Sequence, residues 1–310
     1  MKDDRVDGLR IAVVGATGCV GAAVCAAAER AGHTVLGMAR RPPARPIAGR
    51  FLPLDVATAR PREIAAVLEA EGISVVINAA GGWGTTEEEM TSAHVRLVEG
   101  LIAGMAMLPE RARLVQVGTI HEYGSVPEGV LIGESLVPSP VTAYARSKFE
   151  GSRAALEADR SGAVDTVVLR AVNVCGPRTS RASFLGALVV RMRAAAPGER
   201  LEVTVSDARR DYLDVRDLAA AVLRATESKA ALGRAVNIGR GEAVAVRGLV
   251  AMLAEAAGFP RESVHELEAP VHSKGGDWTR ADIRLARRVL DWEPEIGLER
   301  SLRDMWQDGL

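Results

Sequence analysis

The chain has 310 residues, which is enough to bury a full core in one large domain or in two unequal ones. Its formal net charge of -1 at pH 7 excludes a protein that binds nucleic acid or an anionic membrane through overall basic charge. Three cysteines without CxxC spacing and five histidines without ligand-like pairing predict neither a disulfide framework nor a metal site. We therefore expect no metal, no nucleic-acid partner and no membrane partner.

The first feature in chain order is an N-terminus that reads MKDDRVDGL, which is charged and lacks the apolar stretch of a secretion signal. It is followed by 18 residues without a charge, Ile11 to Ala28, a length close to that of a membrane span. Three glycines interrupt this run, its first part is β-branched and its second part is rich in alanine. A strand, a tight turn and a helix account for it better, and we expect a soluble, cytoplasmic protein.

Short apolar runs and helical patterns then alternate, which is typical of an α/β fold with a doubly wound parallel sheet. The predicted strands are 10–14, 34–38, 74–78, 113–117, 166–170 and 235–238. The predicted helices are 20–31, 62–71, 87–105 and 143–158. We predict a Rossmann-type dinucleotide-binding domain from 1–177 and 210–240. A smaller, mostly helical substrate-binding lobe is predicted for 178–209 and 241–310, because the alternation loosens after Pro177.

The first predicted strand runs directly into GATGCVG, a glycine-rich turn with GxxGxxG spacing. In such a turn the first glycine permits a tight bend, the second lets the backbone approach a pyrophosphate, and the third allows close helix–strand packing. The N–H groups of the following helix favour phosphates, so the pattern predicts a dinucleotide site, with a purely structural turn as the alternative. The residues of this turn predicted to contact the cofactor are Gly15, Thr17, Gly18, Cys19, Val20 and Gly21.

The end of the second predicted strand selects the dinucleotide. An NAD site usually carries Asp or Glu there, to bind the ribose 2′-hydroxyl. This chain reads GMARRP, with Ala39 at the acidic position and Arg40 and Arg41 directly after it. A guanidinium group matches a phosphate, so the pattern predicts NADP(H); two solvated arginines on a loop are the alternative.

Two further strand ends are assigned to the same cofactor groove. The segment PLDV places Asp55 and Val56 beside the adenine, and NAAGG supplies Ala79, Ala80 and Gly81 on the nicotinamide side. Each segment alone is equally well explained as a strand end followed by a loop.

The segment TAYARSK places Tyr144 and Lys148 four positions apart in a predicted helix. The chain contains only three tyrosines and four lysines, so chance seldom produces this spacing. A phenol and an ammonium on one helix face form a tuned proton donor, because the ammonium favours phenolate and lowers the pKa of the tyrosine. An ordinary surface pair at positions i and i+4 is the alternative.

Five motifs in order resemble the extended short-chain dehydrogenase/reductases over most of the chain: GATGCVG, NAAG, TAYARSK, LRAVNVCGP and RRDYLDVRDLA. KGGD and LDWEP near the C-terminus resemble that family's RPGD and LGWxP segments. The resemblance implies that Tyr144 is the general acid, that Lys148 lowers its pKa and holds the nicotinamide ribose, and that Thr119 of VGTIHEYG binds the substrate carbonyl. It also implies a homodimer formed through the helix of Tyr144. His94 stands where the family has Asn, so the proton relay is expected to differ here.

Within the family, the chain looks most like the C4-ketoreductases of deoxysugar pathways, on the segments AAGGWGTTEEEM, TIHEYGSVPEG and NVCGP. Those enzymes reduce nucleotide-linked, typically dTDP-linked, 4-keto-6-deoxyhexoses for natural products such as antibiotics. Nucleotide-sugar dehydratases carry Asp-Glu directly after the threonine, whereas Ile120 and His121 stand here. The resemblance therefore implies NADPH-dependent reduction of a C4 ketone. A nucleotide-sugar epimerase, a reductase of another carbonyl compound and a non-catalytic NADP-sensing protein are the alternatives.

The substrate contacts are carried over from the same resemblance. Asn173, Arg210 and Lys274 match positions that contact the diphosphate, with Lys274 replacing an arginine. A dianionic substrate needs such cations in a nearly neutral protein. His121 and Trp83 are predicted to line the sugar pocket, with ordinary packing as the alternative for both.

Overall fold

The computed structural model describes residues 8–82, 86–196, 199–260, 263–267 and 276–309. The chain divides into two compact units. The first unit comprises the chain up to Gly118, Ser147–Leu169 and Val222–Ala235, and the second comprises Thr119–Arg146, Arg170–Ala221 and the chain from Val236 onward. None of the helices in the described part of the chain has the length and hydropathy needed to cross a lipid bilayer.

A seven-stranded parallel sheet forms the framework of a Rossmann-type fold. Its strands are β1 (Arg10–Val14), β2 (Thr34–Ala39), β3 (Arg50–Pro53), β4 (Val75–Asn78), β5 (Arg113–Thr119), β6 (Asp165–Ala171) and β7 (Arg234–Ile238). They lie in the order β7-β6-β5-β4-β1-β2-β3, and β1 pairs in parallel with both β2 and β4. The chain order therefore reverses between β1 and β4, and in α/β folds ligands bind at the carboxyl ends of the strands beside such a reversal.

Ten α-helices lie in the described residues: α1 (Cys19–Arg30), α2 (Pro61–Ala70), α3 (Glu87–Thr91), α4 (Leu97–Met105), α5 (Ala143–Arg160), α6 (Phe184–Ala194), α7 (Val215–Glu227), α8 (Val246–Ala256), α9 (Arg284–Leu290) and α10 (Leu298–Asp308). The first unit buries one apolar cluster in which α2 and α4 pack with strands β1, β2, β4 and β5. In β4 all four residues of VVIN are buried, as expected for a strand that is covered on both faces.

Between α3 and α4 the chain forms a π-helical turn over Ser92–Arg96. The N–H of Leu97 donates to the carbonyl of Ser92, five residues back. Sequence periodicity predicts one helix over 87–105, and the structure has the predicted ends but interrupts the helix with this turn. Turns of this kind occur frequently at functional sites.

The second unit has its own apolar core and short strand pairs. Leu188, Leu249, Leu302 and their neighbours form that core from helices α6, α8 and α10. The short strands within the described residues pair as Asn173–Cys175 with Tyr212–Asp214, Arg209–Arg210 with Val244–Ala245, and Leu201–Thr204 with Val264–Leu267. The second unit is therefore a mixture of helices and short strands.

All six predicted strands and all four predicted helical positions are confirmed, with ends that differ by at most two residues. Strand β3 was not predicted, because RFLP is short, half-exposed and ends in proline at the edge of the sheet. The compact units assign 119–146, 170–177, 210–221 and 236–240 to the second unit, whereas the sequence-based boundary places them in the dinucleotide-binding domain. That functional boundary stays a prediction.

Candidate active site

The glycine-rich turn connects the end of β1 to the start of α1. Gly15 has φ +79°, and a Cβ there would lie 2.7 Å from the backbone of Ala80. A Cβ on Gly21 would lie 2.1 Å from the carbonyl oxygen of Gly15. Protein packing and backbone conformation therefore explain both of these glycines, as the sequence predicts.

Gly18 is different, because a Cβ on it would meet only the carbonyl oxygen of Gly15, at 3.4 Å. It caps α1 in extended conformation without a side-chain hydrogen bond, so the helix N-terminus lacks a side-chain cap there. Thr17 and Gly18 are exposed, and Cys19 and Val20 are half-buried. This open, uncapped helix N-terminus fits the phosphates of a dinucleotide.

The NAAGG segment follows β4, next to the glycine-rich turn. The N–H of Ala79 donates to the carbonyl of Val14, and the N–H of Ala80 donates to Asn78 Oδ1 at 3.1 Å. Asn78 in turn donates to Gln116 Oε1 at 2.8 Å. The structure therefore brings two predicted cofactor segments together at the reversal point of the sheet.

The residues predicted to select NADP lie at the end of β2. The strand ends at Ala39, and Arg40 and Arg41 follow it as exposed side chains. Asp55 accepts the N–H of Ala57 in the turn after β3, while Val56 is buried in the core of the first unit. Asp55 therefore has a local structural role besides its predicted contact with adenine.

Lys148 is a buried cation on α5, with 4% of its surface exposed. Its Nζ donates to the carbonyl oxygen of Val117 at 2.6 Å. Gly81 has φ +153°, and a Cβ there would lie 3.0 Å from Lys148 Nζ. The ammonium is thus held against the backbone of the NAAGG segment, and its contact with a cofactor stays a prediction.

His94 lies in the π-helical turn and joins the same segment to α5. Its Nδ1 is 2.8 Å from Ser147 Oγ, and its Nε2 is 3.1 Å from the carbonyl oxygen of Gly82. A carbonyl only accepts, so Nε2 carries the proton and Nδ1 accepts from the serine hydroxyl. Burial and the charge of Lys148 lower the pKa of His94 to about 4, against the effect of the Gly82 hydrogen bond. His94 is therefore a neutral clamp at pH 7.

Tyr144 and Thr119 lie in the second unit and share a hydrogen bond. Burial and the nearby Glu122 carboxylate raise the pKa of Tyr144 to about 12, while the bond with Thr119 opposes them. The pKa of Tyr144 is therefore raised where the sequence predicts a lowered one, because desolvation of the phenolate and the Glu122 charge dominate. The contribution expected of Lys148 stays a prediction. Tyr144 is a protonated phenol at neutral pH.

Three of the predicted substrate residues meet in the second unit. Burial and the charge of Arg210 lower the pKa of His121 to about 4, and a hydrogen bond with Asn173 opposes this shift. Asn173 Nδ2 donates to the carbonyl of Asp211 at 3.2 Å. Arg210 donates through Nε and Nη2 to the carbonyl oxygen of Gly276, at 3.2 and 2.6 Å. The cluster combines one cation with two neutral polar side chains, which suits recognition of a phosphate group.

Sequence reasoning missed a buried ion pair beside Thr119. Glu122 is completely buried and accepts from Arg170 Nε at 2.7 Å and from the N–H of Thr119 at 3.0 Å. Its signal in the sequence is an acid directly after β5 and an arginine within the neighbouring strand β6. Ser147, the partner of His94, was also missed, because a single serine in a helix carries no pattern.

Two predicted substrate residues, Trp83 and Lys274, lie outside the described residues. Within the described ranges, no group of three His, Cys, Asp or Glu side chains is arranged to hold a metal ion. Cys19, Cys25 and Cys175, which all lie in the described residues, are thiols and not disulfides.

Comparison with known proteins adds to this geometry. The chain is 38% identical over 302 residues to a dTDP-6-deoxy-L-talose 4-dehydrogenase (NAD(P)(+)) of Kitasatospora kifunensis, covering 96% of this chain and 94% of that protein. It is 31% identical over 192 residues to a GDP-6-deoxy-D-mannose reductase of Pseudomonas aeruginosa, covering 60% and 62% of the two chains. A solved structure of MoeE5 in complex with UDP-glucuronic acid and NAD superposes with a TM-score of 0.83 at 25% identity, over 96% of this chain and 98% of that one.

The model of the NAD dependent epimerase/dehydratase family matches residues 11–239, which include the glycine-rich turn, Tyr144, Lys148 and Arg210. Members of this family are nicotinamide-dependent enzymes that act on sugar nucleotides. They are of the extended short-chain dehydrogenase/reductase type that the sequence motifs predict. The chain belongs to the NAD dependent epimerase/dehydratase family.

Proposed function

We propose that the protein catalyses the NADPH-dependent reduction of the C4 ketone of a dTDP-linked 4-keto-6-deoxyhexose, in the biosynthesis of a deoxysugar for a natural product. The observation that carries the proposal is Tyr144, a half-buried phenol that hydrogen-bonds with Thr119 and has a pKa of about 12. A ketone oxygen that receives a hydride at its carbon needs such a protonated donor beside it. Tyr144 meets that need throughout the neutral pH range.

The cofactor supplies the hydride when it is bound. Thr119 orients the carbonyl oxygen, and Tyr144 gives that oxygen a proton as it becomes a hydroxyl group. A developing alkoxide is a stronger base than phenolate, so this proton transfer stays favourable despite the raised pKa of Tyr144. Lys148, one helical turn after Tyr144, supports the ribose of the nicotinamide with its buried ammonium.

Preference for NADPH is supported by the end of β2. Ala39 provides no carboxylate for a ribose 2′-hydroxyl, and the exposed Arg40 and Arg41 offer guanidinium groups for a 2′-phosphate. The name of the Kitasatospora relative includes both NAD and NADP. We assign the NADP preference to these two arginines.

The C4 position is supported by that same relative, whose name describes oxidation at C4 of a dTDP-linked 6-deoxyhexose. Oxidation of a C4 alcohol and reduction of a C4 ketone are the two directions of one reaction. The dTDP diphosphate requires a cation, and Arg210 with Asn173 and His121 supplies a polar cluster for it. Lys274 and Trp83 are further candidate contacts, and assembly as a homodimer through α5 stays a prediction.

Dehydration is disfavoured by the two residues after Thr119. Ile120 is buried and apolar, and His121 is neutral at pH 7, so neither provides the carboxylates of an acid–base pair. The carboxylate of Glu122, the next residue, is held by Arg170 and by the N–H of Thr119. The turn therefore supports proton donation from Tyr144 to a ketone rather than elimination of water.

The test is the loss of NADPH absorbance with dTDP-4-keto-6-deoxyglucose, made freshly by a 4,6-dehydratase, for the wild type and for Tyr144→Phe. We expect turnover with NADPH, and a fall in kcat of roughly 10²- to 10⁴-fold in Tyr144→Phe because the proton donor is lost. NADH is run alongside, and we expect it to be the poorer cofactor. Thr226→Val, which also deletes one buried hydroxyl but removes a bond to the carbonyl of Leu223 within α7, should keep its activity and serves as the control.

Arg40→Ala/Arg41→Ala should raise the KM for NADPH by roughly 10- to 100-fold and leave that for NADH unchanged, since a charge-assisted bond contributes about 1.5–3 kcal/mol. Arg62→Ala, another exposed arginine, is the control. Equal turnover by wild type and Tyr144→Phe would refute the role of Tyr144. NAD-dependent interconversion of C4 epimers without net reduction would instead identify an epimerase.

A further inference from the structure

Glu122 lies on the short 3-10 turn Ile120–Tyr123, directly after β5. Its carboxylate is completely buried. One oxygen accepts the N–H of Thr119 at 3.0 Å, and the other accepts Arg170 Nε at 2.7 Å. Burying a charge costs free energy that only a well-placed partner offsets. The fold therefore maintains a negative charge next to the residue that is proposed to bind the substrate carbonyl.

Arg170 is held in place from several sides. It is 4% exposed, and its guanidinium lies over the ring of Tyr123 at 4.6 Å from the ring centroid. Tyr123 donates its hydroxyl to Asn237 Oδ1 at 3.0 Å, and Asn237 donates its N–H to Glu134 Oε1 at 2.8 Å. The hydrogen bonds hold the Tyr123 ring in place, and the ring holds the Arg170 guanidinium. Arg170 in turn holds the Glu122 carboxylate.

The charges that face the Glu122 carboxylate and its surroundings come from several elements. Arg170 of β6 faces Glu122, and the charge of Arg170 also acts on Glu134. Glu122 acts on Tyr144, which also hydrogen-bonds with Thr119, and Lys148 follows one turn later on α5. The Glu122 charge disfavours phenolate at Tyr144, as the raised pKa of that residue reflects.

We propose that Glu122 is a positioning residue of the reductase: its Arg170-bound carboxylate fixes Thr119 through the backbone and holds the Tyr144 hydroxyl in its protonated, proton-donating form. This inference rests on the proposed function. During reduction C4 accepts the hydride that NADPH would supply, which leaves NADP⁺, while the carbonyl oxygen takes the Tyr144 proton and solvent returns a proton to the phenolate. The Glu122 charge does not change the equilibrium of the reaction. It shifts the pH at which each direction proceeds, because alcohol oxidation requires the phenolate as a base.

The first experiment needs no substrate. The chain has three tyrosines, so ¹³Cζ-tyrosine labelling yields three resonances that single Tyr→Phe variants assign. We expect the wild-type Tyr144 resonance to stay that of a phenol up to pH 11. In Glu122→Gln, which keeps an acceptor for the Thr119 N–H, Tyr144 should ionise at least about one pH unit lower. A Tyr144 titration that is the same in both proteins would overturn the proposal.

Asp214→Asn is the matched control, because it too removes a buried carboxylate that is paired with an arginine, Arg216, in the second unit. It should lose stability and leave the Tyr144 titration unchanged.

If Glu122→Gln fails to fold, Glu122→Gln/Arg170→Gln removes both buried charges together. Tyr144 should then ionise at a pH between those of the single variant and the wild type, and titration as in the wild type would count against the proposal.

The second experiment follows the pH profile of kcat in both directions. In Glu122→Gln the alkaline fall of ketone reduction and the rise of alcohol oxidation should both move to lower pH by about one unit. A uniform fall in kcat with unmoved profiles would show a merely structural role and refute the proposal. A shifted tyrosine titration without ketone reduction in the wild type would instead place the failure in the proposed function, because the titration does not depend on the substrate.

Discussion

The regions around His94 and His121 each keep an imidazole neutral in the same way, but the two imidazoles have different roles. Each imidazole is neutral because it is buried near a cation, Lys148 in the first unit and Arg210 in the second, and each has a pKa of about 4. His94 is bound through both ring nitrogens, to Ser147 and to the carbonyl of Gly82. His121 bonds instead with the side chain of Asn173.

The difference shows what a neutral histidine contributes beside a cation. In the first region the imidazole is a clamp between a loop and a helix, and the Lys148 ammonium is the charge that we propose meets the cofactor. In the second region two neutral polar side chains stand with Arg210, an arrangement that suits an anionic group such as the proposed diphosphate. In both regions a protonated imidazole would repel the cation that the proposed ligands require.

Of the substitutions that test this comparison, Lys148→Met is expected to have the largest effect. Loss of the ammonium should lower kcat by roughly 10²-fold or more, because the proposed contact with the nicotinamide ribose is lost and the cofactor is positioned less accurately. The pKa of His94 should rise towards its ordinary value, since Lys148 is one of the two causes that lower it. Steady-state kinetics and histidine NMR titration measure both. Lys229→Met, an exposed lysine, is the control, and an unchanged His94 titration would contradict the pairing.

A smaller effect is expected from Arg210→Ala, which should raise the KM for the dTDP-sugar by roughly 10- to 100-fold with a lesser change in kcat. A charge-assisted hydrogen bond to a phosphate contributes about 1.5–3 kcal/mol, which corresponds to this range. Arg209→Ala removes the exposed neighbouring arginine on the same short strand and should leave KM unchanged. Equal KM values for the two variants would show that Arg210 does not contribute to substrate binding.

The smallest effect is expected from His94→Asn, measured as the free energy of unfolding at pH 7 and pH 5. The pKa of His94 lies below its ordinary value, so the unfolded chain binds a proton between pH 6.5 and 4 that the folded protein does not. The wild type therefore loses about 1–2 kcal/mol at pH 5 from this residue. His94→Asn should lose that much less between the two pH values. His121 and Asp211 titrate in both proteins and cancel, and equal losses would refute the role of His94 burial.

Local sequence patterns predict the glycine-rich turn and the helix of Tyr144 and Lys148 well. Gly15, Gly18 and Gly21 are recognisable because a strand, a turn and a helix are adjacent in sequence, and the spacing of Tyr144 and Lys148 follows from one helical turn. The sequence did not reveal that the pKa of Tyr144 is raised, because this depends on burial and on Glu122, which reaches it through the fold.

Long-range contacts account for what sequence reasoning missed. Glu122 and Arg170 lie 48 residues apart, and His94 and Ser147 lie 53 residues apart. A buried carboxylate needs a partner, but the sequence offers many arginines and no pattern that selects one of them. The π-helical turn likewise leaves the apolar periodicity of 87–105 almost intact, so only the backbone hydrogen bonds reveal it.

That turn places one extra residue between α3 and α4, because its hydrogen bond spans five residues instead of four. Removing one residue from Ser92–Arg96 would convert it into an ordinary helical turn and let Met90 and Leu97 keep facing the core. The same deletion within α4 would instead rotate the residues after it by about 100°. A loss of one residue is therefore expected to be tolerated in this stretch only at the turn, where it would cost the position from which His94 reaches both Ser147 and Gly82.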